Sequence, residues 1–177
     1  MAEKLPFHSI SPPPKEYSAS NSISRMIEGL GFRYYWATEG LRSKDLKYRP
    51  SHEAKSTIET LKHIYGLSKT IAESIQNKAS KRPVDQIPED FESLRNITLD
   101  QLNQAYLEIK KIKDLDLGNL KIVFERKGGG KYNFPLWNLI NGPIADALYH
   151  TGQIVSFRRT SGNPIPKGVN VFLGIKN

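Results

Sequence analysis

Apolar residues spaced at steps of three and four, repeated over four separate stretches, constrain the fold of this chain more than any other feature of its sequence. Ile23, Met26, Ile27, Leu30, Tyr34, Ala37 and Leu41 mark one face of a helix that opens near Ser22. Gly29 and Gly31 interrupt it with two positions suited to close packing against a neighbour. Pro50 followed by Ser51 signals a second helix, because proline disfavours helix in the residue before it and a serine oxygen caps free amides. Its line is Ala54, Ile58, Leu61, Ile64, Tyr65, Ser68, Ile71 and Ile75, ending near Lys78. Thr98 and Gln101 have the spacing of a reciprocal cap for a third helix, which carries Leu102, Tyr106 and Ile109 towards Asp114. A fourth runs from about Leu136 to Thr160 with a bend at Pro143, where an amide is lost. Four long helices and one long connection predict an all-α chain, a four-helix bundle of up-and-down type with a long crossover.

The intervening segments break this period. Residues 1–20 read as an extended N-terminal arm, since Pro12, Pro13 and Pro14 exclude helix. Residues 78–93 have the composition of a loop. In "LKIVFERKGGGKYNFPLW" β-branched and aromatic residues flank Gly128, Gly129 and Gly130, which predicts a short hairpin or an irregular loop. The three glycines before Lys131 do not form a phosphate cradle, because Tyr132 stands where serine or threonine is required. Residues 161–177 read as an extended tail. At 177 residues, 38% of them hydrophobic, the chain suits a single domain over 1–177.

Charge and cysteine content narrow the function. The net charge of +8 permits anionic partners, but the basic residues are scattered; the densest groups are "KKIK", "ERKGGGK" and "FRR", none of them an unbroken basic run with interleaved aromatics. A solvated basic surface is therefore preferred to a nucleic-acid site. The absence of cysteine removes disulfides, thiolate metal ligands and cysteine nucleophiles, so a metal must use His, Asp, Glu or water. No apolar run has signal-peptide or spanning character, which leads to the expectation of a soluble cytoplasmic protein with no membrane partner.

The chemistry concentrates in "ADALYHTGQIVSFRR". Leu139, Asp146, His150, Gln153 and Phe157 fall on one helical line, so Asp146 and His150 project side by side. One turn of helix holds a carboxylate and an imidazole at a separation that suits one divalent ion, but by spacing alone an ordinary hydrogen-bonded pair is the preferred reading. Of the other histidines, His8 lies in the arm and His52 at a helix start. "HEAK" lacks the second histidine of a zinc-protease motif, having Ser56 there. His63, in "TLKHIYGLS", lies off its helix's apolar stripe, and by pattern alone is a surface residue. The Asp146 line is also at the edge of its stripe. Two such edges facing each other across the mouth of a bundle would make a site with exchangeable water.

"LKHIYGLS" together with "HTGQIVSFRR" resembles the DinB-like superfamily of metal-binding four-helix bundles, which includes the bacillithiol transferases. The resemblance spans about Ser20 to Gly162. It implies one metal-ligating histidine on the second helix and two, spaced by four, on the last; His63 and His150 match two of these, and Asp146 occupies the third. Thr151 also replaces the family's usual arginine. Two imidazoles and a carboxylate remain a competent set for zinc or nickel, and also for iron or manganese. The implied activity is metal-dependent thiol transfer or amide hydrolysis on a small-molecule substrate, any thiol arriving with that substrate. Gln153 would hold the ligand or support the imidazole, and Tyr34, Trp36 and Tyr65 would wall a pocket or simply fill the core. Arg158 and Arg159 would meet an anionic substrate or complement the helix dipole. A homodimer is the expected assembly. The alternative is a non-catalytic binding or sensor protein that has lost the metal; nucleic-acid binding is a weaker third reading.

Overall fold

The computed structural model describes residues 5–177. Helix α1, Ala19–Thr38, opens on Ser18, whose Oγ accepts from the Asn21 amide at 3.1 Å. The Asp114 carboxylate adds a second cap by accepting from the amides of Ala19 and Ser20 at 2.8 and 2.9 Å. After a single turn, α2 (Ser43–Leu46), comes α3, Thr57–Ile75. It starts five residues later than Pro50 and Ser51 suggested, its cap being Ser56 rather than Ser51. Ser56 and Glu59 cap each other's backbone, the Glu59 carboxylate accepting from the Ser56 amide at 2.7 Å, and this reciprocal pair sets the start. Helix α4, Phe91–Ile109, begins eight residues earlier than expected because Asp90, not Thr98, is its cap and accepts from the Ser93 amide. Thr98 is then inside the helix, where its hydroxyl donates to the Leu94 carbonyl at 2.7 Å instead of capping.

Helix α5, Ala145–Thr160, follows one wide turn, Ile140–Ile144, of π type. Pro143 has no amide to give to an α-helical ladder. The Ala145 amide reaches back five residues to the Ile140 carbonyl, and Gly142 leaves the helical region at φ −94°, ψ −107°. The expected bend is therefore present, built as an inserted residue.

Each of α1 and α3 packs against both α4 and α5, so α1 and α3 stand diagonally opposite. Leu30, Leu61, Ile64, Leu99, Leu102, Leu139 and Ile154 fill the space between them with no exposed surface. Burial of this kind stabilises by about 1.5–3 kcal/mol per large side chain.

The all-α, up-and-down expectation is overturned. Strand β1, Ala79–Arg82, lies in the segment read as a loop, and pairs in parallel with β2, Lys121–Arg126. Strand β3, Lys131–Pro135, returns antiparallel, placing Phe134 opposite Ile122. The resulting sheet, in the order β1-β2-β3, packs against α3. β1 escaped detection because "ASKR" carries no apolar alternation; backbone pairing to β2 holds it. The hairpin half of the sheet was one of the two readings of this stretch, the other being an irregular loop, and all three of its turn glycines take positive φ, between 96° and 104°. Consecutive long helices also lie diagonally in two of three cases, which an up-and-down order does not allow.

The termini are anchored too. Of the arm expected over 1–20, residues 1–4 lie outside the described residues and Ala19 and Ser20 belong to α1. Phe7 is 7% exposed, Ser11 donates its amide to Glu28, and Ile10 donates to Gly174 in the tail. The tail folds into a small hairpin of β4, Val169–Asn170, and β5, Ile175–Lys176. The Phe7 ring fills the place of a side chain at Gly31: a Cβ there would lie 2.5 Å from two ring carbons. Gly31→Ala is expected to destabilise by about 1–3 kcal/mol through displacement of Phe7, more than the ~1 kcal/mol gained in helix propensity. Thermal unfolding measures the balance.

Asp45, 1% exposed, joins α2 to the end of α5. Its carboxylate accepts from Arg42, from the Ser161 hydroxyl and from the Asn163 amide, the latter two at 2.7 Å. The hydrogen-bonded Arg42 guanidinium, with these donors, holds its carboxyl far below the ordinary value of 3.8. An unfolded chain therefore binds a proton here that the folded one refuses. The resulting stability is complete above about pH 4 and is lost as pH falls further towards the lowered folded value. Asp45→Asn is expected to cost about 1.5–3 kcal/mol at pH 7 and to flatten the acid limb of the stability profile, read by denaturant unfolding at pH 7 and pH 3.

Candidate metal site

His63 on α3 and Asp146 and His150 on α5 meet where these helices pack. The Nε2 of His63 lies 3.2 Å from Asp146 Oδ2, and the Nε2 of His150 lies 3.3 Å from Asp146 Oδ1. The two imidazole rings stand edge to face with centroids 4.6 Å apart. One ligand atom from each of the three residues lies within 4.8 Å of the others, so the group could hold a metal ion. All three side chains are half-buried, His150 most deeply.

Gln153 orients this set. Its side-chain oxygen is 2.8 Å from His150 Nδ1, and the i,i+3 step of α5 puts it there without loop ordering. With Nδ1–H donating to Gln153, a neutral His150 turns the lone pair of Nε2 towards Asp146. Lone pair facing carboxylate is repulsive, and a proton or a cation between them relieves it. Support from one ring nitrogen that frees the other as a ligand is the usual arrangement around metals. Burial lowers the His63 imidazole below its ordinary value, and repulsion from His150 and Lys55 acts in the same direction, against the hydrogen bond and charge of Asp146. His63 is thereby biased to the neutral form that can ligate.

The wide turn before α5 decides what else faces the site. A regular helix would put Leu139 on the Asp146 line. The inserted residue rotates that register, so Leu139 points into the core, fully buried, and Asn138 lines the cavity beside Asp146. This cavity, about 610 Å³, is walled by Leu67, Arg82, Phe124, Phe134, Asn138 and Tyr149. A second depression, about 460 Å³, shares Leu67 and Arg82 with it and reaches His63.

Tyr34, Trp36 and Tyr65 line neither. Tyr34 is in the core, where burial pushes its phenol up to about 12. Trp36 meets His8 edge to face and donates its Nε1–H to the His8 carbonyl, and Tyr65 donates to the Gln86 carbonyl. Arg158 is not at the site either: it is 2% exposed and donates to backbone carbonyls at the end of α1. Sequence reasoning missed Arg82, Phe124 and Phe134, whose positions depend on pairing of β2 with β1 on one side and with β3 on the other. Asn138 had a signal, Pro143, had its amide deficit been read as an inserted residue. Among the described residues no helix is long and apolar enough to cross a membrane. Comparison with protein-family models, with curated proteins and with solved structures gives no match.

Proposed function

We propose that this chain binds one divalent ion through His63, Asp146 and His150 and acts on a small-molecule substrate as a metal-dependent transferase or hydrolase. The observation that carries the reading is the convergence of two Nε2 atoms and a carboxylate from two different helices, with the second imidazole held by Gln153. Two nitrogens and one oxygen suit zinc or nickel, and also iron or manganese, with positions left for exchangeable ligands. When bound, such an ion lowers the pKa of a water or thiol and supplies a nucleophile near neutral pH. The resemblance of "LKHIYGLS" and "HTGQIVSFRR" to the DinB-like superfamily supports thiol transfer or amide hydrolysis as the reaction. With no cysteine in the chain, a thiol must enter with the substrate.

The chain's own contribution is positional. Gln153 fixes the His150 ring, α3 and α5 hold the donors, and the sheet face with Tyr149 shapes the cavity next to Asp146. A second reading draws on the same geometry: Asp146 accepts from an imidazole whose Nε2 carries hydrogen, which closes the group without an ion and suits a non-catalytic binding or sensor protein.

Elemental analysis of tag-free protein separates the two. Near-stoichiometric metal in the wild type, absent from His150→Ala, is expected. No metal in either, after incubation with excess zinc, nickel, iron and manganese, would leave the scaffold reading.

A further inference from the structure

We infer that the cavity beside Asp146 receives an organic anion, a small carboxylate or similar group on a flat apolar body, with Arg82 as its anchor. This names the substrate class of the proposed site and rests on that reading, because Asp146 is one wall of the same cavity.

Arg82 ends β1, and its position is fixed from two sides. The guanidinium donates from Nη2 to the Thr70 hydroxyl oxygen at 2.6 Å, while that hydroxyl spends its own hydrogen on the Gly66 carbonyl at 2.9 Å. Its carbon lies 4.9 Å from the centre of the Phe124 ring. Among the described residues Arg82 makes no ion pair; Glu73, whose charge acts on it, is bonded to Lys69 through Oε1, and its Oε2 is buried without a hydrogen-bond partner. A guanidinium carries five N–H donors in a planar fork, so a half-buried arginine held over a ring with one of them used presents a preorganised surface for a planar anion.

The remaining walls match the rest of such a molecule. Ile122, Phe124, Phe134 and Leu67 supply an apolar face, and Asn138 and Asn141 supply amides. At about 610 Å³ the space is within the range of small-ligand sites. Its charge also favours an anion. Arg82 and Asp146 are the charged side chains of the wall and cancel, so a divalent ion on Asp146 makes the site positive overall. Lys55 and Lys62 add positive charge on the His63 side, although Lys62 is paired with Glu89.

Zinc-loaded full chain, titrated calorimetrically with phenylacetate and with its neutral isostere phenylacetamide, tests this. Phenylacetate is expected to bind saturably and about tenfold more tightly than the amide, a 1.4 kcal/mol preference. Arg82→Gln should abolish the preference with zinc content unchanged, and Arg82→Lys should keep part of it. If Arg82→Gln does not fold, Phe134→Ala, on the apolar wall, should weaken acid and amide alike. Equal binding of acid and amide, no binding of the acid, or a preference that survives Arg82→Gln overturns the inference. Zinc bound without the preference sinks this inference alone; an Arg82-dependent preference in protein that takes up no zinc sinks the metal site alone.

Discussion

Arg158→Met unfolds far more readily than the wild type, with an expected loss of about 3–5 kcal/mol. The guanidinium, 2% exposed, donates from Nη1 to the carbonyls of Trp36, Ala37 and Glu39 at 3.3, 3.0 and 2.7 Å, and from Nε to Asn163 at 2.7 Å. These carbonyls include the last of α1, which no further turn of helix satisfies and which carry the negative end of its dipole. Methionine retains much of the volume but provides no donor, so buried oxygens lose their partners at about 1–3 kcal/mol each, moderated where water enters. Lysine restores the charge at one point and cannot span carbonyls from two segments; Arg158→Lys should fall between the two. For a chain of this length the Arg158→Met loss corresponds to a Tm lower by about 6–20 °C, read by calorimetry. A Tm within two degrees of wild type would show that the guanidinium is replaceable there.

His150→Ala should remove the stabilisation that added metal gives the wild type. An ion that binds only the folded chain stabilises by about 2.7 kcal/mol at one hundred times its Kd, which raises Tm by about 5–10 °C. The variant keeps Asp146 and His63 but loses the imidazole whose tautomer Gln153 sets, so its Tm should not respond to zinc or nickel. Gln153→Ala leaves all three ligands in place and should weaken metal binding by about 10–100-fold. That graded order, wild type over Gln153→Ala over His150→Ala, separates a metal centre from a chance cluster. A hydrogen-bonded trio without an ion would give no metal-dependent shift in any of them.

The helical periods of α1, α3 and α5 and the hairpin around Gly128–Gly130 were legible because each is a local pattern: side-chain period, turn glycines, a proline that removes one amide. The ligand set was legible in part. Asp146 and His150 share a helix, and their spacing alone makes them neighbours. His63 was joined to them by resemblance to a family pattern, since its own helix face is polar and eighty-three residues separate it from Asp146. Helix starts were less legible. Pro50–Ser51 and Thr98–Gln101 each have the spacing of a cap, and the choice fell instead to Ser56–Glu59 and Asp90.

Three features depended on the tertiary structure. Strand β1 exists because β2 offers it a row of backbone partners, and no pattern in "ASKR" announces that. The cavity wall exists because this pairing brings Arg82 over Phe124 while the wide turn at Pro143 exchanges Leu139 for Asn138. Arg158, read as a candidate for substrate or for its own helix dipole, instead caps a different helix, α1. Residue period and residue type announce that long helices form and which chemical groups they carry, though not where each helix begins. Which groups face one another was decided by packing, because hydrogen-bond partners far apart in the chain are chosen only when the core brings them within reach.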